Sequence, residues 1–487
     1  TSTSGCEASD FPAETTDSIS LIQRGTCTFV QKLAHAEAAG AAGVILFNEG
    51  QPEPGRENPL FTTAPTYYGI PAVFSSFSVG EEFYNAFQAG DDPTARVEVD
   101  ATTIPRVQHN VIAESPWGDP NRAVVVGGHL DSVPAGPGIN DNGSGTAAIL
   151  ETAEEMSALK ARADQGVAAA KAKVDSSKAA VDRAKAKFDQ RKAKVKKRKA
   201  KVRKAKRKLN QADGEQAERK AKRKLKGAKK KLRQAKRQRN DARDELRAAE
   251  EELGKAEGEL RTAEARFAPR QQLRVAFWGA EEAGLIGSTQ YVAQLTQAER
   301  QRILLNLNFD MLGSPNFVRF VYDGNTNETP SPPGGAPPGS DLIEQVFLDY
   351  FASQGLPTSP TAFDGRSDYG PFIAQGIPAG GLFSGAEVEK APEQVAVYGG
   401  VAGEQFDPCY HESCDTFDSV FGAGPPGLPG LAGNGAISLD QMSDAVAHST
   451  HHFVTAPSPL GSSRSSQDAR RGQSAYGLDY RGDFLNR

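Results

Sequence analysis

Three short apolar runs, at 123–126, 273–278 and 303–309, stand out from the polar sequence around them. Each is too short for an ordinary helix, and each leads into glycine or an acidic residue. Such runs predict strands buried on both faces, as inside a parallel α/β layer. Nearer the N-terminus, 18–22, 43–47 and 70–74 also read as strands, and 29–41 has helical apolar spacing that Gly40 and Gly43 terminate. The first 104 residues therefore read as β with one helix.

Between 157 and 267 the period becomes seven. Val167, Val174, Val181, Phe188, Val195, Val202 and Leu209 form one series. Leu225, Leu232, Leu246, Leu253 and Leu260 form another, broken at Arg239, with Ala221, Ala228, Ala235, Ala242, Ala249, Ala256 and Ala263 beside it. A sustained heptad of this kind predicts a coiled coil whose alanine seam lets the helices approach closely. Ala212-Asp-Gly214-Glu supplies a turn, and Pro269 stops the second helix. The expected element is an antiparallel helical hairpin with arms of ~65–75 Å at 1.5 Å per residue. It would be inserted in a helix-to-strand connection of the surrounding domain.

The apolar runs lead directly into metal-ligating side chains. Five segments each offer a ligand: Gly-Gly-His129-Leu-Asp131, Asn140-Asp141-Asn-Gly-Ser-Gly, Ala280-Glu281-Glu282, Asn308-Phe-Asp310 and Tyr410-His411-Glu-Ser-Cys. Zinc takes His nitrogen and carboxylate oxygen, and a catalytic site leaves a position for water. Two zincs ~3.5–4 Å apart can share a bridging carboxylate and a bridging hydroxide. In open α/β sheets functional groups gather at the carboxyl ends of strands, where these runs end. Taken singly, a His after a strand is ordinary polar surface and a Glu pair an ordinary solvated face. Glu281-Glu282, however, follows Trp278-Gly279, which is not how a solvated helix face begins. Asn142-Gly-Ser144 fits a glycosylation acceptor, but a tight turn opening a helix beside Asp141 is favoured.

The segments around these ligands resemble the secreted two-zinc aminopeptidases, family twenty-eight of the metallopeptidases, in their bacterial form. The likeness covers roughly 105–156 and 268–456. It is carried by Gly-His-Leu-Asp-Ser-Val, Gly-Ile-Asn-Asp-Asn-Gly-Ser-Gly-Thr-Ala-Ala, Phe-Trp-Gly-Ala-Glu-Glu-Ala-Gly-Leu-Ile-Gly-Ser, Asn-Phe-Asp-Met-Leu-Gly, Gly-Arg-Ser-Asp-Tyr-Gly-Pro-Phe and Cys-Tyr-His-Glu-Ser-Cys-Asp-Thr. The resemblance implies a mixed-sheet α/β/α domain with two Zn²⁺. His129 and Asp310 would hold one zinc, Glu282 and His411 the other, and Asp141 would bridge. Glu281 matches the general base, and Asp131 matches a carboxylate that orients His129. Tyr410 matches the residue that polarises the scissile carbonyl. Arg366, Phe383 and Gly385 match the substrate site, whose pocket suggests an apolar N-terminal residue. Asp440 and Asp444 match a calcium-binding pair of some members, although two Asp at i, i+4 are as common on an exposed helix face.

Gln23-Arg-Gly-Thr-Cys-Thr-Phe-Val-Gln-Lys-Leu-Ala, with Ala-Gly-Ala-Ala-Gly-Val-Ile, resembles a protease-associated domain. Such β-rich modules accompany this family and are thought to shape substrate access. The implied organisation is a protease-associated domain at 1–104 that looks N-terminally short, a peptidase domain at 105–156 and 268–456, and the basic hairpin at 157–267. The Ser/Arg/Gly-rich stretch 457–487 reads as a disordered tail. The Pro/Gly-rich stretches 330–339 and 422–435 read as loops rimming the site.

Charge and cysteine change the picture in two ways. The chain carries 57 Lys and Arg against 61 Asp and Glu. Residues 157–267 hold 39 basic and 16 acidic residues, a balance of +23, which leaves 18 and 45, or −27, elsewhere. The near-neutral whole thus hides two opposed parts. The basic residues concentrate at 191–208 and 219–239, which favours contact with a polyanion such as cell-wall polymer, anionic membrane surface or nucleic acid. No interleaved aromatics are present to stack bases, so sequence-specific nucleic-acid reading is not expected. A solvated rod is the alternative. The four cysteines (Cys6, Cys27, Cys409 and Cys414) are even in number and suit disulfides in an oxidising compartment. There is no apolar run of membrane-spanning length. With no signal peptide and no initial Met, the chain reads as a mature or truncated secreted form. The favoured function is aminopeptidase action on peptides with a free N-terminus. The alternatives are a related carboxypeptidase or glutaminyl-cyclase-type hydrolase, or an inert peptidase whose hairpin binds a polyanion or cell surface.

Overall fold

The computed structural model describes residues 4–25, 27, 29–50, 69–100, 107–329 and 335–460. Most of the expected tail, 461–487, and part of one expected rim loop, 330–334, lie outside them. The chain divides into two compact units, Thr1–Glu155 with Pro269–Arg487, and Met156–Ala268.

In the first unit, β1 (Ile19–Gln23), β2 (Gly43–Phe47) and β3 (Ala72–Ser75) form a parallel three-stranded sheet in that order. Helix α1 (Phe29–Ala38) packs Phe29, Leu33 and Ala36 with Ile22, Val44 and Leu46 into one core. The Cys6–Cys27 disulfide ties the segment ahead of β1 to the start of α1. A second helix, α2 (Phe77–Gln88), departs from the one-helix expectation. Ser76 caps it by accepting from the Val79 amide at 3.4 Å. Val79, Tyr84 and Phe87 face outward, while Gly80 faces in and Phe77 meets Phe47 with ring centroids 6.5 Å apart. A Cβ on Gly80 would fall 1.9 Å from the Phe47 ring, so only glycine lets α2 approach β2 this closely.

The larger sheet has seven strands in the order β4-β6-β5-β7-β10-β8-β9. They are β4 (Val111–Glu114), β5 (Asp119–His129), β6 (Gln271–Trp278), β7 (Ile303–Phe309), β8 (Phe320–Tyr322), β9 (Ser359–Thr361) and β10 (Ala379–Phe383). The central four, β6, β5, β7 and β10, are mutually parallel, while β4 runs antiparallel to β6 and β8 antiparallel to β10. Residues 123–129 of β5 are all buried, which is why that strand reads as a continuous apolar run rather than an alternation. Helices α3 (Gly145–Asn210) and α4 (Glu215–Ala265) follow β5. Next come α5 (Ile286–Gln294), α6 (Gln297–Arg302), α7 (Ser340–Ser353), α8 (Gly370–Ala374), α9 (Pro392–Tyr398), α10 (Phe417–Phe421) and α11 (Asn434–Thr455). Val125, Ala276, Trp278, Val292, Ile303, Phe372 and Ile377 form one core cluster, linking β5, β6 and β7 to α5 and α8.

The second unit is the helical hairpin. Helix α3 is unbroken for 66 residues. At 1.5 Å per residue α3 is ~100 Å long and α4 ~75 Å. Lys173 pairs with Glu259 and Lys187 with Glu245, while Arg191 donates to Gln238 Oε1 at 3.0 Å, which fixes an antiparallel register. Val174, Val195, Ala235, Ala242 and Ala256 are buried along the heptad seam. Gly214, at φ 88°, turns the chain into α4. No helix among the described residues is long and apolar enough to cross a membrane.

Candidate metal centre

The parallel strands bring the candidate ligands to one edge. His129 is the last residue of β5, Glu281 and Glu282 follow β6, and Asp310 follows β7. Asp141 lies in the turn that opens α3, and His411 lies in the loop closed by the Cys409–Cys414 disulfide. His129 Nε2 is 3.1 Å from Asp141 Oδ1 and 3.0 Å from Asp310 Oδ1. His411 Nε2 is 3.2 Å from Asp141 Oδ2 and 3.1 Å from Glu282 Oε2. Asp141 thus turns one oxygen to each imidazole. Three three-donor groups have their donor atoms within 4.8 Å of one another: His129–Asp141–Asp310 and Asp141–Glu282–His411, which share Asp141, and His129–Glu281–Glu282.

This nitrogen-and-carboxylate set fits zinc. Glu282 Oε1 is buried with no hydrogen-bond partner, an acceptor that a cation would satisfy. The electrostatics agree. Burial alone would lower His411, but Asp141 and Glu282 carry it up to about 10. Burial likewise opposes charge on His129, yet Asp310, Glu281 and Asp141 hold it well above its ordinary value. The pocket's carboxylates therefore demand positive charge, as protons or as metal.

Residues 110–172 and 259–423 match Peptidase family M28, and residues 1–83 match the PA domain. The chain belongs to peptidase family M28. It is 36% identical over 456 residues to an aminopeptidase of Pseudomonas aeruginosa, covering 93% of this chain and 60% of that protein. It is 32% identical over 425 residues to leucine aminopeptidase 2 of Trichophyton rubrum, covering 85% of this chain and 61% of the relative. The chain therefore spans about three fifths of these relatives' length. An aminopeptidase structure from Aneurinibacillus sp. strain AM-1 superposes with a TM-score of 0.53 at 20% identity, covering 93% of this chain and 73% of that one.

Within the M28 domain Asp131 sits between His129 and the Glu pair. Its carboxylate lies 3.8 Å from His129 Nδ1, too far for a hydrogen bond. The Asp131 backbone carbonyl, at 3.0 Å, is the partner of Nδ1. The carboxylate instead accepts from the amides of Glu281 at 2.9 Å and Glu282 at 3.2 Å, so it positions the Glu pair. Other supporting residues carry no signal beyond their place in the motifs. Asp415 accepts from the Asn140 and Asp141 amides at 2.8 and 3.1 Å. Ser367 donates to Asp310 Oδ2 at 2.6 Å. Asn142 is buried, its side chain bonded to Phe309, Gly145 and Met311, which is the turn rather than a glycan acceptor.

The cavity beside the cluster is lined in part by Glu281, Arg366, Phe383, Tyr410 and His411. Arg366 donates to Glu387 at 2.6 Å and to the Tyr410 hydroxyl oxygen at 3.2 Å. The Tyr410 ring stacks on His411, centroids 3.8 Å apart. Gly385, expected in the substrate pocket, is not on the cavity wall. It sits at φ 100° against Phe406, its carbonyl accepting from Ser314 at 2.6 Å, and Ala386 lines the wall instead. Asp440 and Asp444 are exposed on α11 and belong to none of the metal-competent groups among the described residues.

Asp368 has an unusual environment. It is fully buried and neither carboxylate oxygen has a hydrogen-bond partner; the Ser288 hydroxyl is given to the Leu285 carbonyl at 3.3 Å. Burial, opposed by His129 and the nearby Ser288 hydroxyl and reinforced by Asp310 and Asp131, lifts Asp368 to about 7. A carboxyl raised on folding stabilises the fold fully below its unfolded value of 3.8, and that contribution is lost as pH rises through about 7. With chelator present, the wild type should lose up to about 1.4 kcal/mol per pH unit from this group across that window. Asp368→Asn, permanently neutral, should remove that slope from urea unfolding curves at pH 4 to 7. An unchanged slope would mean that Asp368 folds already ionised.

Proposed function

We propose that the chain is a two-zinc aminopeptidase that removes an N-terminal residue, apolar side chains included, from peptides with a free N-terminus. The observation that carries this reading is the pair of three-donor groups sharing Asp141 beside Glu281. Zinc held by His129, Asp141, Asp310, Glu282 and His411 would polarise the scissile carbonyl and acidify the attacking water. Glu281 takes the water's proton and hands it to the leaving amine. Its backbone is fixed for this by Asp131. Arg366 donates to the Tyr410 oxygen, which leaves the phenolic proton free to be donated to the carbonyl oxygen as charge builds there. The substrate's α-ammonium is drawn to the carboxylates of the cluster, which restricts cleavage to the first residue.

The test is release of p-nitroaniline from aminoacyl anilides and from their N-acetyl forms, with chelator and with added zinc. Free-amine anilides should be cleaved, chelation should stop cleavage, and zinc should restore it. Equal cleavage of the N-acetyl forms would overturn the reading. The two disulfides support an oxidising, extracellular site of action.

A second reading concerns the hairpin, as a surface that contacts a polyanion. Residues 191–239 hold 26 basic and three acidic residues, whereas the remainder of 157–267 holds 13 of each. The whole net charge of the hairpin therefore sits in its distal half. The Lys–Glu pairs between the arms lie in the balanced half, at Lys173–Glu259 and Lys187–Glu245. At the far end Lys201, Lys204, Lys208, Lys220 and Lys224 ring a cleft floored by alanines. Like charges crowded in this way cost stability that a bound polyanion would offset. Replacing 160–267 with a short Gly/Ser linker should preserve anilide cleavage, since every proposed ligand lies outside it and closing such a loop costs only a few kcal/mol or less. The same deletion should abolish salt-sensitive retention on heparin. Unchanged retention would leave the rod an inert spacer.

A further inference from the structure

The substrate cavity carries one acidic group that neither the metal cluster nor the proposed reaction uses. Asp364 lies on the cavity wall and is exposed to it. Its Oδ1 accepts from the Arg366 amide at 3.0 Å and from the Tyr369 hydroxyl at 2.9 Å. Tyr369 is itself buried and accepts from the Gly365 amide at 2.9 Å, so the carboxylate is held on a fixed mount. Oδ2 has neither a hydrogen bond nor an ion pair among the described residues. Arg366, the one guanidinium on the same wall, is matched by Glu387 at 2.6 Å. Tyr322, Ala362, Phe383 and Ala386 supply apolar wall around it. Phe363, stacked on Tyr322 at 5.0 Å, keeps this part of the wall packed.

Apolar side chains beside an anchored carboxylate with one free oxygen select a substrate side chain with an apolar stem and a cationic end. We propose that Asp364 is a specificity residue, extending the N-terminal residues accepted by this cavity from aliphatic to lysine and arginine while excluding glutamate and aspartate. This rests on the aminopeptidase reading, because it assigns the cavity to the substrate's first side chain. The carboxylate acts by charge, so its effect should appear as a difference between lysine and its uncharged isostere norleucine.

The experiment compares kcat/KM for lysyl, norleucyl and glutamyl anilides in the zinc-loaded full chain, in Asp364→Asn and in Asp364→Lys. Asparagine keeps the Oδ1 acceptor that holds the turn and removes only the charge. The lysine-to-norleucine ratio should fall about tenfold in Asp364→Asn, and in Asp364→Lys glutamate should overtake lysine. A merely structural role would lower all three substrates together and leave the ratios unchanged, which would overturn the proposal. Calorimetric binding of free L-lysine and L-norleucine gives a readout independent of turnover. Tighter binding of lysine in the wild type that disappears in Asp364→Asn would uphold the assignment even where no anilide is cleaved. Equal binding of the two amino acids by the wild type would overturn it.

Discussion

Glu281→Gln should retain its full complement of metal and lose at least ~10²-fold in turnover, the low end for removing a general base. The expectation follows from position. Glu281 is buried at the end of β6 and its amide is held by Asp131, yet its side chain lines the cavity. It forms a group with His129 and Glu282 but belongs to neither group that shares Asp141, so its loss leaves those two intact. Burial raises its pKa well above the ordinary carboxylate range, Asp310, Asp368 and Glu282 adding to that and His129 opposing it. A base must be ionised to act, so wild-type activity should fall as pH falls through the Glu281 pKa. That acidic limb should be missing from what activity Glu281→Gln retains. Metal analysis beside the pH–rate profile decides the matter, since loss of zinc together with activity would make Glu281 a ligand and reverse the roles of the Glu pair.

Which parts of this site could be read from residues alone follows from physical causes. The strands β5, β6 and β7 were legible because burial on both faces writes an unbroken apolar run, and the ligand after each run sits where parallel strands end. The hairpin was legible because its seam repeats every seven residues over both arms. Helix α2 was not read, although Phe77, Gly80 and Phe83 recur at helical spacing on its inner side. For Asp131, sequence cannot show that its carbonyl bonds His129 while its carboxylate, 3.8 Å from Nδ1, binds the Glu281 and Glu282 amides. Gly385 was misread for a similar reason. A positive φ turns it toward Phe406, and the next residue reaches the cavity. Asp368 and Asp415 lay inside recognised segments, but a buried carboxylate and an exposed one look alike until the chain is folded around them.

The other large effect should come from Asp141→Ala. Each of its oxygens faces a different imidazole, His129 at 3.1 Å and His411 at 3.2 Å, so one substitution removes a donor from both groups. His129→Ala or His411→Ala removes a donor from only one of the two groups that share Asp141. After reconstitution and dialysis, the wild type should hold two zinc ions per chain, each histidine variant about one, and Asp141→Ala fewer than one. Metal-assisted polarisation contributes several kcal/mol to hydrolysis, so Asp141→Ala should lose at least ~10³-fold in turnover. Its fold should survive, because Asn140, Asp415 and Asn142 hold the same turn through bonds that do not use the Asp141 side chain. Circular dichroism beside the metal analysis separates loss of ions from loss of structure. A folded Asp141→Ala that still bound two zinc ions would remove the bridge from the centre and leave two independent sites. A wild type that bound only one would reduce the centre to a single-metal hydrolase, with the second histidine and Glu282 serving the substrate's ammonium instead.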